Sequence, residues 1–512
     1  MTSTTARSSS ASLPSTPPPS RRLAPSWSRS PRILRTEALA GLVVALALIP
    51  EAISFSILAG VDPRVGLFAS FTMAVTIAFT GGRPAMISAA TGAVALVVAP
   101  LVKSHGVAYL IAAVILGGAF QIVLGLLGAA NLMRFVPRSV MVGFVNALAI
   151  LIFLAQLPQL RDVPFSVYPL VALGLALILL LPRLTKAVPA PLIAIVVLTV
   201  LTTTTALSVP TVGDQGKLPD SLPTLGLPDV PWTFATLQLI APYAIGLALV
   251  GLMESLMTAR LVDDITDTPS DKARESWGQG IANVVTGLFG GMGGCAMIGQ
   301  TMINVKASGA RTRLSTFLAG LFLLILVVAL SPLVSVIPMA ALVAVMIVVS
   351  GLTFDWHSIA PATLRRMPKS ETSVMIVTVA VVVATSNLAI GVVAGTLTAM
   401  ALFARRVAHL VQVESVIDTD DSTGTEQVTY TVHGELFFAS SSDLVEQFDY
   451  LHDPQRVVID MSQSHVWDAS SVAALDAVTH KYSRYGKTVQ ILGLNQASDA
   501  MHGRLTGQLS SH

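Results

Sequence analysis

The sequence predicts a polytopic α-helical membrane protein with a small α/β domain at its C-terminal end. Only 12% of the 512 residues are charged and 53% are hydrophobic. Soluble domains average about a quarter charged residues, so this chain cannot cover a large water-facing surface. Apolar segments of helical length recur between residues 37 and 408, and the composition changes from about residue 412.

The first 35 residues are predicted to be a disordered basic leader on the cytoplasmic side. They are rich in Ser, Pro and Arg and almost lack aliphatic residues, so they cannot bury enough surface to order themselves. They also lack the short apolar core of a cleavable signal peptide. The net charge of +2 is too small to indicate a nucleic-acid partner.

Fourteen transmembrane elements are predicted between residues 36 and 408. The longer ones offer the roughly 20 residues that a helix needs to cross ~30 Å of hydrocarbon. The predicted elements are 37–58, 64–80, 84–100, 106–129, 137–157, 166–183, 189–207, 236–259, 274–290, 295–306, 312–330, 333–353, 372–386 and 389–406.

The distribution of Lys and Arg predicts the orientation in the membrane. With the leader inside, fourteen basic residues fall in inside loops and four in outside loops, namely Arg64, Lys103, Arg161 and Lys217. Such an excess is typical of cytoplasmic loops. A multi-pass protein of the cytoplasmic membrane with both termini in the cytoplasm is therefore expected.

The Pro- and Gly-rich segment 208–235 divides the elements into two halves, residues 36–207 and 236–408. Each half contains seven predicted elements. With an odd number in each half, the second half must be inverted relative to the first, which is a common plan among transporters.

Residues 409–512 form the predicted α/β domain. The segments QVTYTVHGELFF, RVVIDMS and KTVQILGLN have the Val, Ile, Thr and aromatic content of strands. The segments SSDLVEQFDYLH and SVAALDAVTHKYSRYG have helical apolar spacing. This alternation of strands and helices is typical of a small α/β fold.

A single carboxylate interrupts the first predicted element of each half. Glu51 follows Pro50 within an apolar run, and Glu254 is the only charged residue between Trp232 and Arg260. An ionisable group inside a membrane segment is a functional-site hypothesis by default. The alternative is a structural Glu that is hydrogen-bonded between helices.

Two glycine-rich segments predict broken helices. GGRPAMISAATG (81–92) and FGGMGGCAMIGQ (289–300) share Ala-Met-Ile after paired glycines, and Gly and Pro are where membrane helices break. The alternative is that these glycines only let helices pack. We predict half-helices in elements three and ten whose N-termini face each other, where unpaired N–H groups attract an anion. Small residues that would let it approach are Ser88, Ala89, Ala90, Thr91, Gly92, Ala296, Gly299 and Gln300.

The carboxylates also predict coupling to a cation. Burial favours the neutral form of a carboxyl group, and a nearby anion favours it further. A proton on such a group would promote anion binding, which is proton–anion symport. Alternatively, the ionised group holds Na⁺, with Thr258 one turn beyond Glu254 as an oxygen ligand.

Several segments resemble the SulP family of sulfate permease-like anion transporters, which is related to solute carrier family 26. They are LIPEAISFSILAGVDPRVGLFAS, GGRPAMISAATGAV, LMESLMTAR and KASGARTRLS. The C-terminal segments HGELFFASSSDLVEQF, RVVIDMSQSHVWDASSVAALDAV and QILGLN resemble a STAS domain. The resemblance covers about 35–512.

This resemblance implies a seven-plus-seven inverted repeat arranged as core and gate bundles, an elevator-like movement of the core, and a homodimer. Bacterial members carry dicarboxylates, bicarbonate or sulfate, coupled to H⁺ or Na⁺. The implied substrate-binding residues are Ser88, Ala90, Thr91, Glu254, Ala296, Met297, Ile298 and Gln300. The implied coupling-ion residues are Glu51, Glu254 and Thr258.

This chain departs from the family pattern at the tenth element. Many members have a Ser-Arg pair there, whereas this chain has Gln300-Thr301. Without a fixed cation, binding must depend on helix dipoles and a coupling ion. The first expectation is symport of a fumarate- or succinate-like dicarboxylate with H⁺. Sodium-coupled bicarbonate or proton-coupled sulfate transport are alternatives; a nucleobase carrier or a membrane-anchored STAS regulator is less favoured.

Four further features have a simpler interpretation than a functional site. Ser470 matches a serine that is phosphorylated in soluble regulatory STAS proteins, which suggests a cytosolic regulator, but it also fits an ordinary helix start. Cys295, the sole cysteine, is expected to be a small apolar residue packed in a helix. The acidic run 263–267 with Glu275 is expected to be a solvated charged face. The nine histidines lack metal-ligand spacing, and no phosphate-binding loop or enzymatic nucleophile is visible, so neither a cofactor nor an enzyme is expected.

Overall fold

The computed structural model describes residues 31–128, 136–183, 189–205, 207–216, 218–219, 221–408, 411–419 and 426–507. Residues 1–30 of the predicted leader, and Lys217 of the predicted outside loop, lie outside this part. Residues 31–35 were expected to be disordered, but they form the exposed start of the first helix.

The predicted membrane part is helical, with two strands of two residues each. The elements are α1 (Pro31–Ala59), α2 (Pro63–Thr80), β1 (Ser88–Ala89), α3 (Gly92–His105), α4 (Val107–Leu126), α5 (Arg138–Leu154), α6 (Val167–Leu180), α7 (Ala190–Thr204), α8 (Phe234–Thr266), α9 (Lys272–Leu288), β2 (Cys295–Ala296), α10 (Ile298–Met302), α11 (Arg313–Ala329), α12 (Ser331–Ser335), α13 (Met339–Thr353), α14 (Pro361–Arg366), α15 (Lys369–Thr385) and α16 (Leu388–Ala408). Within the described residues, six helices are long and apolar enough to cross a membrane.

The described chain divides into two compact units. One contains residues 31–128 and 152–351, and the other contains residues 136–151 and the described residues from 352 onwards. All of the predicted substrate and coupling-ion residues lie in the first unit. The predicted span 333–353 is not one helix, because α12 ends at Ser335 and α13 begins at Met339.

Proline makes α1 locally irregular beside Glu51. Pro50 lies inside the helix and has no N–H, so the carbonyl of Leu46 loses its helical partner. The hydroxyl of Ser54 donates to the carbonyl of Pro50 at 2.8 Å, and both residues are buried. The helix nevertheless continues to Ala59, so Glu51 projects from a continuous element.

Helices α4 and α9 approach each other closely at a pair of glycines. A Cβ atom on Gly118 would lie 2.7 Å from the carbonyl oxygen of Gly280, and one on Gly280 would lie 2.6 Å from the carbonyl oxygen of Gly118. Real Cβ atoms do not approach so closely, so the backbones meet only because both residues are glycine. This contact places the buried amides of Gln121 and Asn283 side by side at 2.8 Å.

The C-terminal elements form a small α/β fold, as predicted. They are β3 (Gln412–Thr419), β4 (Glu426–Leu436), α17 (Ser441–Glu446), β5 (Arg456–Val466), α18 (Ala469–Arg484), β6 (Thr488–Leu492) and α19 (Gln496–Leu505). The sheet order is β3-β4-β5-β6; the first pair is antiparallel and the other two pairs are parallel. Helices α17 and α18 supply the crossovers that parallel strands require.

A cluster of tyrosines anchors the loop between α17 and β5. The phenol of Tyr430 donates to Asp453 Oδ2 at 2.8 Å, and the phenol of Tyr482 donates to the same oxygen. Burial raises the pKa of Tyr482, and hydrogen bonding to Asp453 raises it further. Burial and the neighbouring Tyr430 raise the pKa of Tyr450 to about 12.

These raised pKa values predict a loss of stability in alkali. An unfolded tyrosine ionises near pH ~10, while these phenols stay neutral in the folded domain. Their contribution is therefore present below pH ~10 and lost as the pH rises above that value. Tyr482→Phe should flatten this loss and cost about 1 kcal/mol at neutral pH. Thermal unfolding followed by circular dichroism at neutral and alkaline pH tests this; an equally steep loss in Tyr482→Phe contradicts it.

Candidate functional site

A two-residue antiparallel ladder joins the two halves of the membrane part. Ser88 of β1 pairs with Ala296 of β2, and Ala89 pairs with Cys295. The N–H of Met297 extends the ladder by donating to the carbonyl of Ile87 at 2.8 Å. Because the strands are antiparallel, α3 and α10 leave the ladder from its opposite ends. Their N-termini therefore lie at opposite ends of the ladder.

The shared Ala-Met-Ile tripeptides are not structural equivalents. Ala85, Met86 and Ile87 all precede β1, whereas Ala296 ends β2 and Ile298 begins α10. The repeated glycines indicated the correct regions, but aligning the tripeptides shifts the two half-helices relative to each other. Structurally equivalent residues of the two segments are identified by the strand pairing and by the residues at which α3 and α10 begin.

The first turns of both half-helices offer backbone donors. The first helical hydrogen bond of α3 joins Ala95 N to the carbonyl of Thr91, and that of α10 joins Thr301 N to the carbonyl of Met297. N–H groups ahead of these bonds lack a helical partner. In α3 the hydroxyl of Thr91 accepts one of them, from Val94 N at 3.4 Å. Among the described residues, the donors left for a ligand are the N–H groups of Gly92, Ala93, Ile298, Gly299 and Gln300.

Open space lies beside the first turn of α10. Gly299 is exposed, and a Cβ atom added to it would meet no described atom within 4 Å. On the other side, the ring of Phe55 in α1 packs against Gly92 at the start of α3. Helix α1 therefore lies next to the N-terminus of α3, one turn beyond Glu51.

Glu254 is linked by hydrogen bonds to the start of α3. The thiol of Cys295 donates to Glu254 Oε2 at 2.8 Å, and Cys295 Sγ also lies 3.1 Å from Thr91 Oγ1. All three side chains are buried. The expectation that Cys295 only fills space in a helix is wrong: it lies in β2 and joins a predicted coupling residue to the residue that caps α3.

Glu51 of α1 lies near Gln300 of α10. The side-chain amide of Gln300 lies near the half-buried carboxyl group of Glu51. Gln300 is only 1% exposed, and its Oε1 atom has no hydrogen-bond partner among the described residues. Thr258, the other predicted coupling residue, is fully buried and donates its hydroxyl to the carbonyl of Glu254 at 2.7 Å.

Several predicted substrate residues have their polar groups engaged by the protein. The hydroxyl of Ser88 donates to Gln279 Oε1 at 3.1 Å. The N–H of Ala90 donates to Ser70 at 3.2 Å, and that of Ala296 donates to Ser255 at 3.1 Å. Met297 donates its N–H within the ladder. These residues line the break, but in this structure the free donors come from the first turns of the helices.

A buried amide network that the sequence analysis missed supports β2. The Gly294 carbonyl accepts from Gln279 Nε2 at 3.3 Å and from Asn283 Nδ2 at 3.1 Å. The N–H of Gly294 donates to Asn283 Oδ1 at 2.9 Å. Gln279 and Asn283 are fully buried and lie four residues apart on α9. Two amides at that spacing within a membrane segment are a signal that sequence reasoning can use.

The acidic run near residue 263 is only partly the solvated face that the sequence predicts: Asp264 and Asp267 are exposed, whereas Asp263 and Glu275 are engaged by other residues. Asp263 pairs with Arg83 at 3.1 Å and also with Lys272. Glu275 is fully buried, and its Oε2 atom accepts from the N–H groups of Gly82 at 2.8 Å and Arg83 at 3.1 Å. These charges fix the loop that leads from α2 into β1.

Ser470 belongs to the C-terminal fold. It is exposed in the first turn of α18, and the preceding Asp468 caps that helix by accepting from Ser471 N at 3.0 Å. Asp468 also accepts from Phe438 N at 2.6 Å. The Asp-x-Ser segment therefore has a clear structural role for its aspartate and leaves Ser470 accessible.

Comparison with known families identifies both parts of the chain. The family model described as the sulfate permease family matches residues 34–169 and 162–378. The STAS domain model matches residues 416–502. Together they cover the helical part that holds the β1–β2 ladder and most of the C-terminal α/β fold.

Similar proteins extend over nearly the whole chain. The putative sulfate transporter YbaR of Bacillus subtilis (strain 168) is 53% identical over 91% of this chain and 96% of its own length. The bicarbonate transporter BicA of Picosynechococcus sp. is 26% identical over 87% and 86%, respectively. The solved structure of the murine Solute Carrier 26 family member A9 anion transporter, 16% identical, matches the fold with a TM-score of 0.78 over 93% of this chain and 88% of that one. The chain thus belongs to the sulfate permease family, a family of membrane transporters, and ends in a STAS domain.

Proposed function

We propose that this protein is a secondary active symporter that moves a small anion across the cell membrane together with H⁺. One observation carries the proposal: a carboxyl group, Glu254, is held beside two helix N-termini that offer free N–H donors. None of the predicted substrate-binding residues is basic. The site therefore attracts an anion with backbone dipoles, and Glu254 makes its charge depend on a cation.

The sign of the coupling follows from electrostatics. At ~5 Å and an effective dielectric constant of about 20, an ionised carboxylate repels an anion by about 3 kcal/mol. A proton on Glu254 removes this repulsion, and by linkage a bound anion favours the proton. Proton and anion therefore bind together and are released together, which is symport. Sodium at the same carboxylate, near Thr258, is the alternative cation.

A dicarboxylate such as fumarate or succinate is the first substrate that we propose. Two N-termini, one at each end of the ladder, can each bind one carboxylate group. Sulfate and bicarbonate are the second candidates, because they appear in the names of YbaR and BicA. We further propose an elevator-like movement, a homodimer, cytoplasmic termini and a cytosolic regulator that acts at the STAS domain near Ser470.

The proposal is tested with purified protein in liposomes. Labelled fumarate, succinate, sulfate and bicarbonate are each offered under an inward pH gradient and, separately, under an inward Na⁺ gradient. Accumulation driven by the pH gradient supports proton symport, and competition among the anions ranks the substrates. Accumulation that requires Na⁺ would replace the proton with sodium. No accumulation of any of these anions under either gradient would contradict the symporter proposal.

Glu51→Gln tests the second carboxylate. Glu51 lies near Gln300 in the first turn of α10, so a neutral amide there should leave only one carboxylate to be neutralised. We expect uptake in Glu51→Gln to depend less steeply on pH, with folding retained. The measurement is the initial uptake rate across a pH series, with the size-exclusion profile as the folding control. Unchanged pH dependence would remove Glu51 from the coupling role.

A further inference from the structure

The polar chain Glu254–Cys295–Thr91 can carry hydrogen bonds in either of two directions. Its three groups are a carboxyl, a thiol and a hydroxyl, each of which both donates and accepts when it holds a proton. The Sγ atom of Cys295 lies 2.8 Å from Glu254 Oε2 and 3.1 Å from Thr91 Oγ1. Because all three side chains are buried, water does not compete for these contacts.

We propose that Cys295 is a positioning residue that transmits the protonation of Glu254 to the hydroxyl of Thr91 at the start of α3. This inference rests on the proposed proton symport and names a further residue in it. It adds a role for the thiol, which the sequence analysis treated as packing.

With Glu254 ionised, the hydrogen bonds point towards α8. A carboxylate only accepts, so the thiol must donate to Oε2. The hydroxyl of Thr91 then donates to the sulfur. Its proton is occupied and cannot reach an anion at the N-terminus of α3, while its oxygen still accepts from Val94 N.

With Glu254 protonated, the hydrogen bonds point in the opposite direction, towards α3. The carboxyl O–H donates to the sulfur and the thiol donates to Thr91 Oγ1, which has a second lone pair beside the one that accepts from Val94. The hydroxyl proton of Thr91 is now free to donate to an anion at the N-terminus of α3. No S–H or O–H bond breaks: the incoming proton stays on Glu254, and the other two groups only rotate.

The surroundings of Glu254 leave Cys295 as its only ionisable neighbour among the described residues. Helices α3, α4, α9 and α10 and strand β2 pack against α8. Their other ionisable side chains lie in end turns of the helices: Lys103 and His105 in α3, Tyr109 in α4, and Lys272, Arg274 and Glu275 in α9. The direction of the hydrogen bonds among Glu254, Cys295 and Thr91 is therefore controlled by the protonation of Glu254 itself.

Infrared spectroscopy tests the chain directly. Because the protein has one cysteine, its S–H stretching band reports on Cys295 alone. At alkaline pH the wild-type band should lie at lower frequency than in Glu254→Gln, since a thiol that donates to a carboxylate makes a stronger hydrogen bond. Acidification should shift the wild-type band and leave that of Glu254→Gln unchanged. Identical bands in the two proteins would overturn the proposal.

Transport measurements test its consequence. Cys295→Ala breaks the chain, whereas Cys295→Ser preserves a group that donates and accepts. We expect the change in apparent anion affinity between acidic and alkaline pH to fall about fivefold in Cys295→Ala and to recover in Cys295→Ser. Wild-type pH dependence in Cys295→Ala would overturn the relay. An absence of uptake in the wild type would instead contradict the symport itself, and the infrared measurement would still decide whether the chain exists.

Discussion

Replacing Glu254 with glutamine should reduce proton-driven accumulation of the anion by about 100-fold. The amide has nearly the shape of the carboxyl group but cannot take up a proton, so the pH gradient has nothing to act on. The helix N-termini remain intact, and anion binding persists. Exchange of labelled for unlabelled anion should therefore continue and become insensitive to pH.

Uptake under a pH gradient and equilibrium exchange, measured on the same liposomes, separate these effects. Glu371→Gln is the matched control, because Glu371 is an exposed carboxylate at the start of α15. It should accumulate the anion as the wild type does. If Glu254→Gln still accumulates anion under the gradient, Glu254 is not the coupling group; if it neither accumulates nor exchanges, Glu254 is needed for binding or folding.

Replacing Gly294 with alanine should disrupt the β1–β2 ladder and thereby abolish transport. The new Cβ atom would lie 1.9 Å from the carbonyl oxygen of Ala89. The atoms nearest to this Cβ belong to the backbone of Ala89 and Ala90 and cannot rotate away. Strands β1 and β2 must therefore separate, which costs about 3 kcal/mol. Separation displaces both half-helix N-termini. We expect a lower unfolding temperature and loss of measurable uptake in liposomes.

Gly299→Ala is the matched control, because it adds the same methyl group five residues further on. Its Cβ atom would meet no described atom within 4 Å, so thermal stability should be unchanged. If the open space beside α10 receives the substrate, the methyl group should weaken anion binding by about tenfold. Wild-type stability and uptake in Gly294→Ala would contradict the geometry of the ladder. Unaltered anion affinity in Gly299→Ala would place the substrate elsewhere.

The sequence predicted the break regions because glycine and proline act locally. Paired glycines ahead of residues 85 and 296 indicated where helices stop, and isolated carboxylates indicated Glu51 and Glu254. The STAS fold was predictable for the same reason, since its strands and helices have distinct periodicities. The helical start at residues 31–35 was missed because Ser, Pro and Arg dominate the segment before it.

The contacts inside the site were not predictable, because they join residues far apart in the chain. Nothing near Cys295 in sequence shows that its thiol meets Glu254 or Thr91. The amides of Gln121 and Asn283 face each other only because Gly118 and Gly280 let α4 and α9 approach. The sequence predicts a solvated Glu275 because Lys272 and Arg274 precede it, but its carboxylate points inward to the loop at Gly82.

The ladder also has a consequence for biosynthesis. β1 pairs with β2, and the loop before it is held by Glu275 and by Arg313, which donates to the carbonyl of Gly81. A ribosome that adds about 5–20 residues per second reaches β2 roughly 10 to 40 s after it completes β1. During that interval the first half sits in the bilayer with unpaired backbone, exposed to proteases and chaperones. Substitutions at Gly294 or Glu275 leave the first half unpaired after synthesis is complete, and should therefore appear in cells as degradation of the full-length protein.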